Sequence, residues 1–431
     1  MKRTVIFLFV FYLVSSHILV VAQETLCTPK PSKEAVALYR YLLDMKGKKI
    51  LSGQMSAPWG INELEYLQTN TGKQPAINGI DFINPKDNPK EVHNAIDWWK
   101  SGGITTIMWH MGAPGIGQGY ENSKKAIDID KVFQEGTPEY TAFWSELKIK
   151  ADMLTTIRDA NVPVLWRPFH ELNGNWFWWG KQGPEKFKKL WITMFDYFVK
   201  ERGLNNLIWV LCYTGEPDAK WYPGDEYVDI AGADTYAKND SPQMTMYNTV
   251  KTITGDKFPI AFHECGIPPN PDQCLKQGVM WSWWMEWHTS HLQGIDKTYL
   301  KYVYDHDLVI TRDELPDIMA QYGWNENCKI SVIVPQIKTG KGKWQQSNRI
   351  PAGSGTKVKC KVQVSDRGKL SWSGYGTSGS SSKQTVAVIG NGTITVTFKN
   401  KCGATSTQTF NIVDADISPS LSPGIPVIGG I

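Results

Sequence analysis

Eight short apolar runs recur along the first three quarters of this 431-residue chain, each parted from the next by a longer, mostly polar and helix-compatible stretch. They occupy residues 49–54, 75–82, 104–110, 162–170, 207–213, 228–236, 259–264 and 279–287. Strands that alternate with helical segments form βα units, and βα units build parallel sheets. Eight units in about 300 residues are the number that closes a (β/α)8 TIM barrel. An open doubly wound sheet is the structural alternative, but no Gly-rich phosphate loop follows any of the runs. The largest insertion follows the third run, at residues 111–145.

From residue 327 the pattern changes. Runs at 329–337, 357–364, 384–389, 393–399 and 405–413 are short and β-branched, several alternate strictly, and Gly, Ser and Asn clusters separate them. This pattern predicts an all-β, immunoglobulin-like sandwich over 327–415. Residues 416–431, rich in Ser, Pro and Gly, read as a disordered tail. Charge divides at the same boundary: residues 327–431 hold 13 Lys/Arg and three Asp, a net of +10, which leaves −8 for residues 23–326. A basic sandwich beside an acidic barrel suits attachment near acidic wall polymers. A solvated lysine-rich sheet face accounts for the same charge. Trp344, Trp372 and Tyr375 are candidate sugar-stacking rings if exposed, and an inert spacer is the other reading.

The first 22 residues have the form of a secretory signal: Lys2 and Arg3, an apolar run from 5 to 21, and small residues at the offsets for cleavage before Gln23. A soluble, exported chain over 23–431 is expected, with no membrane span and no access to nucleic acid. Seven cysteines remain, so at least one thiol stays unpaired within the chain. Cys265 with Cys274, and two of Cys328, Cys360 and Cys402, are candidate disulfides for an oxidising compartment. No C-x-x-C occurs and neither His-Glu pair extends to H-E-x-x-H, so no metal site is expected.

In a (β/α)8 barrel the reactive groups sit at the C-terminal ends of the strands. Polar residues close these runs repeatedly: His110, His170 with Glu171, Asp234, and His263 with Glu264. An unpaired Glu buried in a core is costly, so a Glu at a strand end belongs beside a cleft. Around Glu171 the sequence is WRPFHELNGNWFWWG over 166–180, and 16 of the 19 tryptophans fall between Trp59 and Trp287. Aromatic faces stack on the apolar faces of sugar rings, which points to an acid in a carbohydrate cleft. Enclosure by Trp176, Phe177 and Trp178 would favour the proton-carrying form of Glu171.

Hydrolysing a glycosidic bond with retention takes two carboxyl groups about 5–5.5 Å apart. Glu171 and Glu264 each follow a His at a strand end and are 93 residues apart, three units of 31. That places them on strands 4 and 7, across the mouth of an eight-stranded barrel. Asp81, Glu216 and Glu286 also lie near strand ends and read as subsite or structural residues.

Residues 166–180, with NLIWV at 206–210, WYPGDEYVDI at 221–230, ADTY at 233–236 and ECG at 264–266, resemble the signature of glycoside hydrolase family 26, mostly endo-β-1,4-mannanases. The resemblance covers about residues 30–320 and implies a retaining mechanism without metal or organic cofactor. It implies Glu171 as acid/base and Glu264 as nucleophile. It also implies substrate-binding roles for His110, Arg167, His170, Asn173, Trp176, Asp234, Tyr236 and Trp287, with Tyr236 and Arg167 keeping Glu264 ionised. Trp283 and Trp284 compete with Trp287 for the place of a sugar-stacking ring. The implied partner is a β-mannan polysaccharide met by a monomeric, secreted enzyme. A relative of the same family acting on mixed-linkage β-1,3-1,4-glucan or β-1,3-xylan, and a non-catalytic carbohydrate-binding barrel, are the alternatives.

Overall fold

A computed structural model describes residues 25–323 except 59, and residues 333–414 except 353–355, 365–366, 389 and 401–404. The expected signal segment, Cys328, Cys402 and the 416–431 tail lie outside the described residues. The eight barrel strands are β1 (Ile50–Leu51, continuing as Gly53–Met55), β2 (Ile77–Asp81), β3 (Ile104–Trp109), β4 (Val164–Pro168), β5 (Leu207–Tyr213), β6 (Ile230–Thr235), β7 (Ile260–Cys265) and β8 (Trp283–Glu286). Neighbours pair in parallel in that order, and β8 pairs with both β7 and β1, which closes the sheet. A short ninth strand, β9 (Val309–Ile310), pairs with Ile50–Leu51 outside the ring. Ser52 breaks β1, donating from Oγ to the Ile310 carbonyl at 2.8 Å and accepting the Ala76 N–H at 3.0 Å.

Both faces of these strands are covered, so they read as continuous apolar runs rather than alternating ones. Two apolar clusters result. The inner one joins Leu51, Ile77, Met108, Leu165, Ile208 and Met285 to Leu38 and Leu42 of the helix Lys33–Met45, which plugs the barrel floor. Ser32 caps that helix by accepting the Ala35 N–H at 3.1 Å. The outer cluster packs the strands' other face, including Trp166, Trp209 and Trp284, against the surrounding helices. Burial of each such side chain contributes about 1.5–3 kcal/mol. Among the described residues no helix is long and apolar enough to cross a membrane.

The C-terminal domain packs two four-stranded sheets around one core. One sheet holds β10 (Ile333–Thr339), β11 (Gln345–Gln346), β13 (Thr356–Val364) and β15 (Lys383–Val388). The other holds β12 (Arg349–Ala352), β14 (Gly368–Ser373), β16 (Gly392–Asn400) and β17 (Thr405–Asp414). Trp372 is buried in this core and stacks on Phe410 at 5.8 Å, so it is not an exposed sugar platform. Tyr375 is half-buried, and its hydroxyl donates to the Gly390 carbonyl and accepts the Gly390 N–H.

The expected Cys265–Cys274 bridge, and any bridge to Cys360, is corrected, whereas a Cys328–Cys402 pair falls outside the described residues. Cys265 and Cys274 are both buried free thiols, as is Cys360. Cys265 ends β7 with Sγ turned to Glu286 Oε2 at 3.6 Å, whereas Cys274 is fixed in the helix Pro271–Gln277, whose Asn270 cap accepts the Gln273 N–H.

Candidate active site

β4 delivers Arg167 into the barrel interior and then turns sharply. The buried guanidinium donates from Nε to Thr106 Oγ1 at 3.1 Å, and from Nη1 to the His263 carbonyl at 2.7 Å and Glu264 Oε1 at 3.4 Å. Phe169 and Glu171, on either side of His170, both adopt positive φ, near +50°. Left-handed backbone at residues with a Cβ costs about 1–3 kcal/mol each and persists where the surroundings enforce it. Here the Trp179 indole N–H holds the His170 carbonyl at 2.9 Å, and the Leu172 N–H bonds the Cys212 carbonyl at 3.1 Å. The turn lifts Glu171 into the mouth, where Trp176 Nε1 donates to its Oε2 at 2.5 Å. Gly174 permits that contact, since a Cβ there would meet the Trp176 ring at 2.5 Å. Enclosure of Glu171 is only partial: Trp176 is 42% exposed, and Trp178 is buried, donating to the Met111 carbonyl.

Opposite, the ladder between β6 and β7 shifts register. Ala233 pairs with Phe262 but Asp234 pairs with Glu264, so His263 is an extra residue in β7. Such a bulge re-aims the side chains that follow it. His263 turns its Nε2 to the Tyr213 carbonyl at 2.7 Å, and Glu264 points to the mouth. Tyr236 donates its hydroxyl to Glu264 Oε2 at 3.0 Å. Carboxyl oxygens of Glu171, Asp234 and Glu264 all lie within 4.8 Å of one another.

Three carboxylates this close repel as anions. Burial, then the charge of Glu171, holds Asp234 well above the usual carboxylate range, with Arg167 acting the other way. Burial, followed by Glu171, also pushes Glu264 up to about 7, while Arg167, His110 and the Tyr236 hydroxyl pull it down. Arg167 and Tyr236 both act on Glu264 in the expected direction, and burial outweighs them.

His110, at the end of β3, sits between Asp81 of β2 and His170. Its Nδ1 is 2.5 Å from Asp81 Oδ2 and its Nε2 is 3.1 Å from His170 Nε2. Burial opposes a charge on His110, but Asp81 and more distantly Glu264 and Glu171 outweigh it and raise its pKa. Burial and then the neighbouring His110 and Arg167 push His170 well below the ordinary range, so His170 stays neutral.

The mouth of the barrel holds one cleft of about 690 Å³, whose lining does not include Arg167, Trp176 or Asp234. His110, His170, Glu171, Asp81, Tyr236, Glu264 and Trp287 all border it. Trp287 lies edge-on to His110 at 6.3 Å and to Tyr236 at 6.4 Å, while Trp283 and Trp284 are wholly buried in the core. Asn173 is not brought to the cleft. Its amide nitrogen donates to the Glu216 carbonyl at 2.6 Å and its oxygen accepts the Thr214 N–H at 2.9 Å, so it ties the loop after β4 to the loop after β5. Phe177 joins the lining as well, and Tyr120, His288 and His291 do so without having been singled out. Tyr120 comes from the insertion after β3, whose length was the only signal for it.

The profile of glycosyl hydrolase family 26 matches residues 27–314. A mannan endo-1,4-beta-mannosidase of Thermothelomyces thermophilus is 35% identical over 324 residues, covering 70% of this chain and 64% of the relative. Mannan endo-1,4-beta-mannosidase B of a Piromyces species is 35% identical over 313 residues, covering 68% of this chain and 54% of the relative. The chain thus spans between about half and two thirds of these relatives' length. Among solved structures, the β-mannanase from a symbiotic protist of the termite Reticulitermes speratus, complexed with gluco-manno-oligosaccharide, superposes with a TM-score of 0.63 at 36% identity, covering 69% of this chain and 98% of that one. The Podospora anserina GH26-CBM35 β-(1,4)-mannanase superposes with a TM-score of 0.64 at 32% identity, covering 69% and 70%. With two thirds of its length matched by the family's profile, the chain belongs to glycosyl hydrolase family 26.

Proposed function

We propose that this chain is a secreted, retaining endo-β-1,4-mannanase that cuts mannan, glucomannan or galactomannan backbones. One observation carries the reading: Glu171 and Glu264, delivered by opposite strands of one barrel, present carboxyl oxygens within 4.8 Å of each other in an aromatic-lined cleft. Double displacement with retention uses two carboxyl groups about 5–5.5 Å apart. In the first step Glu264 Oε attacks the anomeric carbon and the bond to the leaving oxygen breaks. Glu171 gives that oxygen its proton. In the second step Glu171 takes a proton from water, the water oxygen attacks the same carbon, and Glu264 leaves as carboxylate. Asp234 brings a third carboxyl beside Glu171 and Glu264, Tyr236 and Arg167 orient and charge-balance Glu264, and Trp176 and Trp287 offer ring faces to sugar.

Mannan as the substrate is supported by the names of the relatives and by the gluco-manno-oligosaccharide bound to the protist enzyme. Export is supported by the form of residues 1–22. The test is product release from mannan, glucomannan, lichenan and β-1,3-xylan. Short manno-oligosaccharides from mannan, absent with Glu264→Ala, are the expected result. Cleavage of lichenan or xylan alone would replace the substrate, and binding without cleavage of any would make the barrel a lectin.

A further inference from the structure

The outer face of the β10–β13–β15 sheet carries charge that nothing on it balances. Ile333, Ile337, Val358, Cys360, Val362 and Val386 enter the sandwich core. Strand alternation therefore sends Lys338, Lys357, Lys359, Lys361 and Lys383 to the opposite, solvent face. The register then sets like charges directly across from one another: Lys338 faces Lys359, and Lys361 faces Lys383. Like charges directly opposite on one face destabilise a sheet. None of the five makes an ion pair among the described residues, and the polar neighbours that the register places on that face, Gln336, Gln346, Gln363 and Thr385, are neutral. Along β13 the three lysines form a row with a spacing of about 7 Å.

The same face holds an aromatic ring. Lys361 Nζ lies 4.7 Å over the half-buried Trp344 ring. A cation row beside a ring is suited to a polymer that offers both negative charge and an apolar ring face. We propose that this face binds a linear polyuronate, an acidic polysaccharide whose carboxylates pair with Lys338, Lys359, Lys361 and Lys383 while one sugar ring packs on Trp344. Bound there, the chain is retained on an acidic wall matrix while its barrel acts on a neutral glycan. Binding by repelling lysines is favoured because the polyanion replaces their mutual repulsion with attraction, and at a solvent-exposed face it is screened by salt. The choice of a polysaccharide over other polyanions rests on the reading of the barrel as a polysaccharide hydrolase; the charge argument stands without it.

The experiment measures retention of the full chain by immobilised polygalacturonate, fully methyl-esterified pectin, neutral mannan, single-stranded RNA and anionic phosphatidylserine vesicles. Polygalacturonate should retain the protein at about 50 mM salt, lose it at about 300 mM, and lose it on esterification. Lys359→Glu with Lys383→Glu should weaken retention at least about tenfold, and the milder Lys359→Gln with Lys383→Gln should weaken it less, with both variants hydrolysing soluble mannan at the parent rate. Trp344→Ala should weaken polygalacturonate binding without changing its salt dependence. Equal retention of parent and charge-reversed protein, no retention at low salt, or preference for RNA or vesicles would overturn the proposal. Because the readout is binding, its failure is distinct from failure of the hydrolase reading.

Discussion

Asp81 grips His110 at two points. Its Oδ1 accepts the His110 backbone N–H at 3.1 Å, and its Oδ2 lies 2.5 Å from the ring Nδ1. The ring is thereby fixed with Nε2 toward His170, at the wall of the cleft that holds Glu171 and Glu264. Asp81→Asn keeps an acceptor but removes the charge, and the His110 ring loses the partner that holds its proton. Losing a hydrogen bond to a charged group costs about 1.5–3 kcal/mol, so kcat should fall by about tenfold to a hundredfold. The stability effect has a sign. The raised pKa of His110 gives stability that is complete below 6.5, its ordinary value, and fades as pH rises through the folded value. Thermal melts of Asp81→Asn should therefore show the larger loss at acid pH, and a loss that grows with pH would contradict the charge on His110.

Tyr236 stabilises the ionised form of Glu264 through a 3.0 Å hydrogen bond. As the proposed nucleophile Glu264 has to be ionised, so its pKa near 7 should set the acid limb of kcat/KM. Tyr236→Phe removes a donor and should move that limb to higher pH by about one unit or more, with a smaller effect at pH 9 than at pH 6. A pH profile that drops uniformly would show that Tyr236 acts elsewhere.

Glu264 also costs stability. Its pKa is raised from 4.5 to about 7, so the folded chain holds a proton that the unfolded chain releases between those values. Stability falls as pH rises across that window, by on the order of 3 kcal/mol at most. Glu264→Gln, which is neutral throughout, should melt higher than the parent at pH 8 and close to it at pH 4. An equal difference at both pH values would contradict the burial cost.

For Glu171, the proposed acid role is separable from binding. Glu171→Ala should lose about a hundredfold to ten-thousandfold in kcat on mannan, where the leaving oxygen needs a proton. On an aryl β-mannoside with a dinitrophenolate leaving group, which departs unprotonated, formation of the glycosyl enzyme should be nearly unaffected. Equal losses on both substrates would remove Glu171 from the acid role.

Much of this was legible in the sequence, and the exceptions share a cause. Eight apolar runs announced eight strands because both faces of a barrel strand are buried. The short strand Gly368–Ser373 was missed because Gly and Ser at its ends masked the run, which left Trp372 open as a stacking candidate although it is buried. His110 and Asp234 could be placed at the mouth from strand ends, and Tyr236 from the family resemblance, but the pairing of His110 with Asp81 spans 29 residues and depends on register between β2 and β3. The bulge at His263 is likewise a property of two strands together. Asn173 was read as a substrate ligand from its place in the signature, whereas both ends of its amide are committed to backbone groups. Sequence shows which residue types reach a strand end; which atoms they meet there is decided by the neighbouring strand.

The most direct test of the double-displacement account is to trap the covalent intermediate. Incubation with a 2-deoxy-2-fluoro-mannosyl fluoride, which slows turnover of the glycosyl enzyme more than its formation, should add one fluorosugar to the chain. Peptide mapping by mass spectrometry should place it on Glu264. A label on Glu171 or Asp234, or turnover of ordinary substrate with inversion at the anomeric carbon and no label at all, would contradict the account.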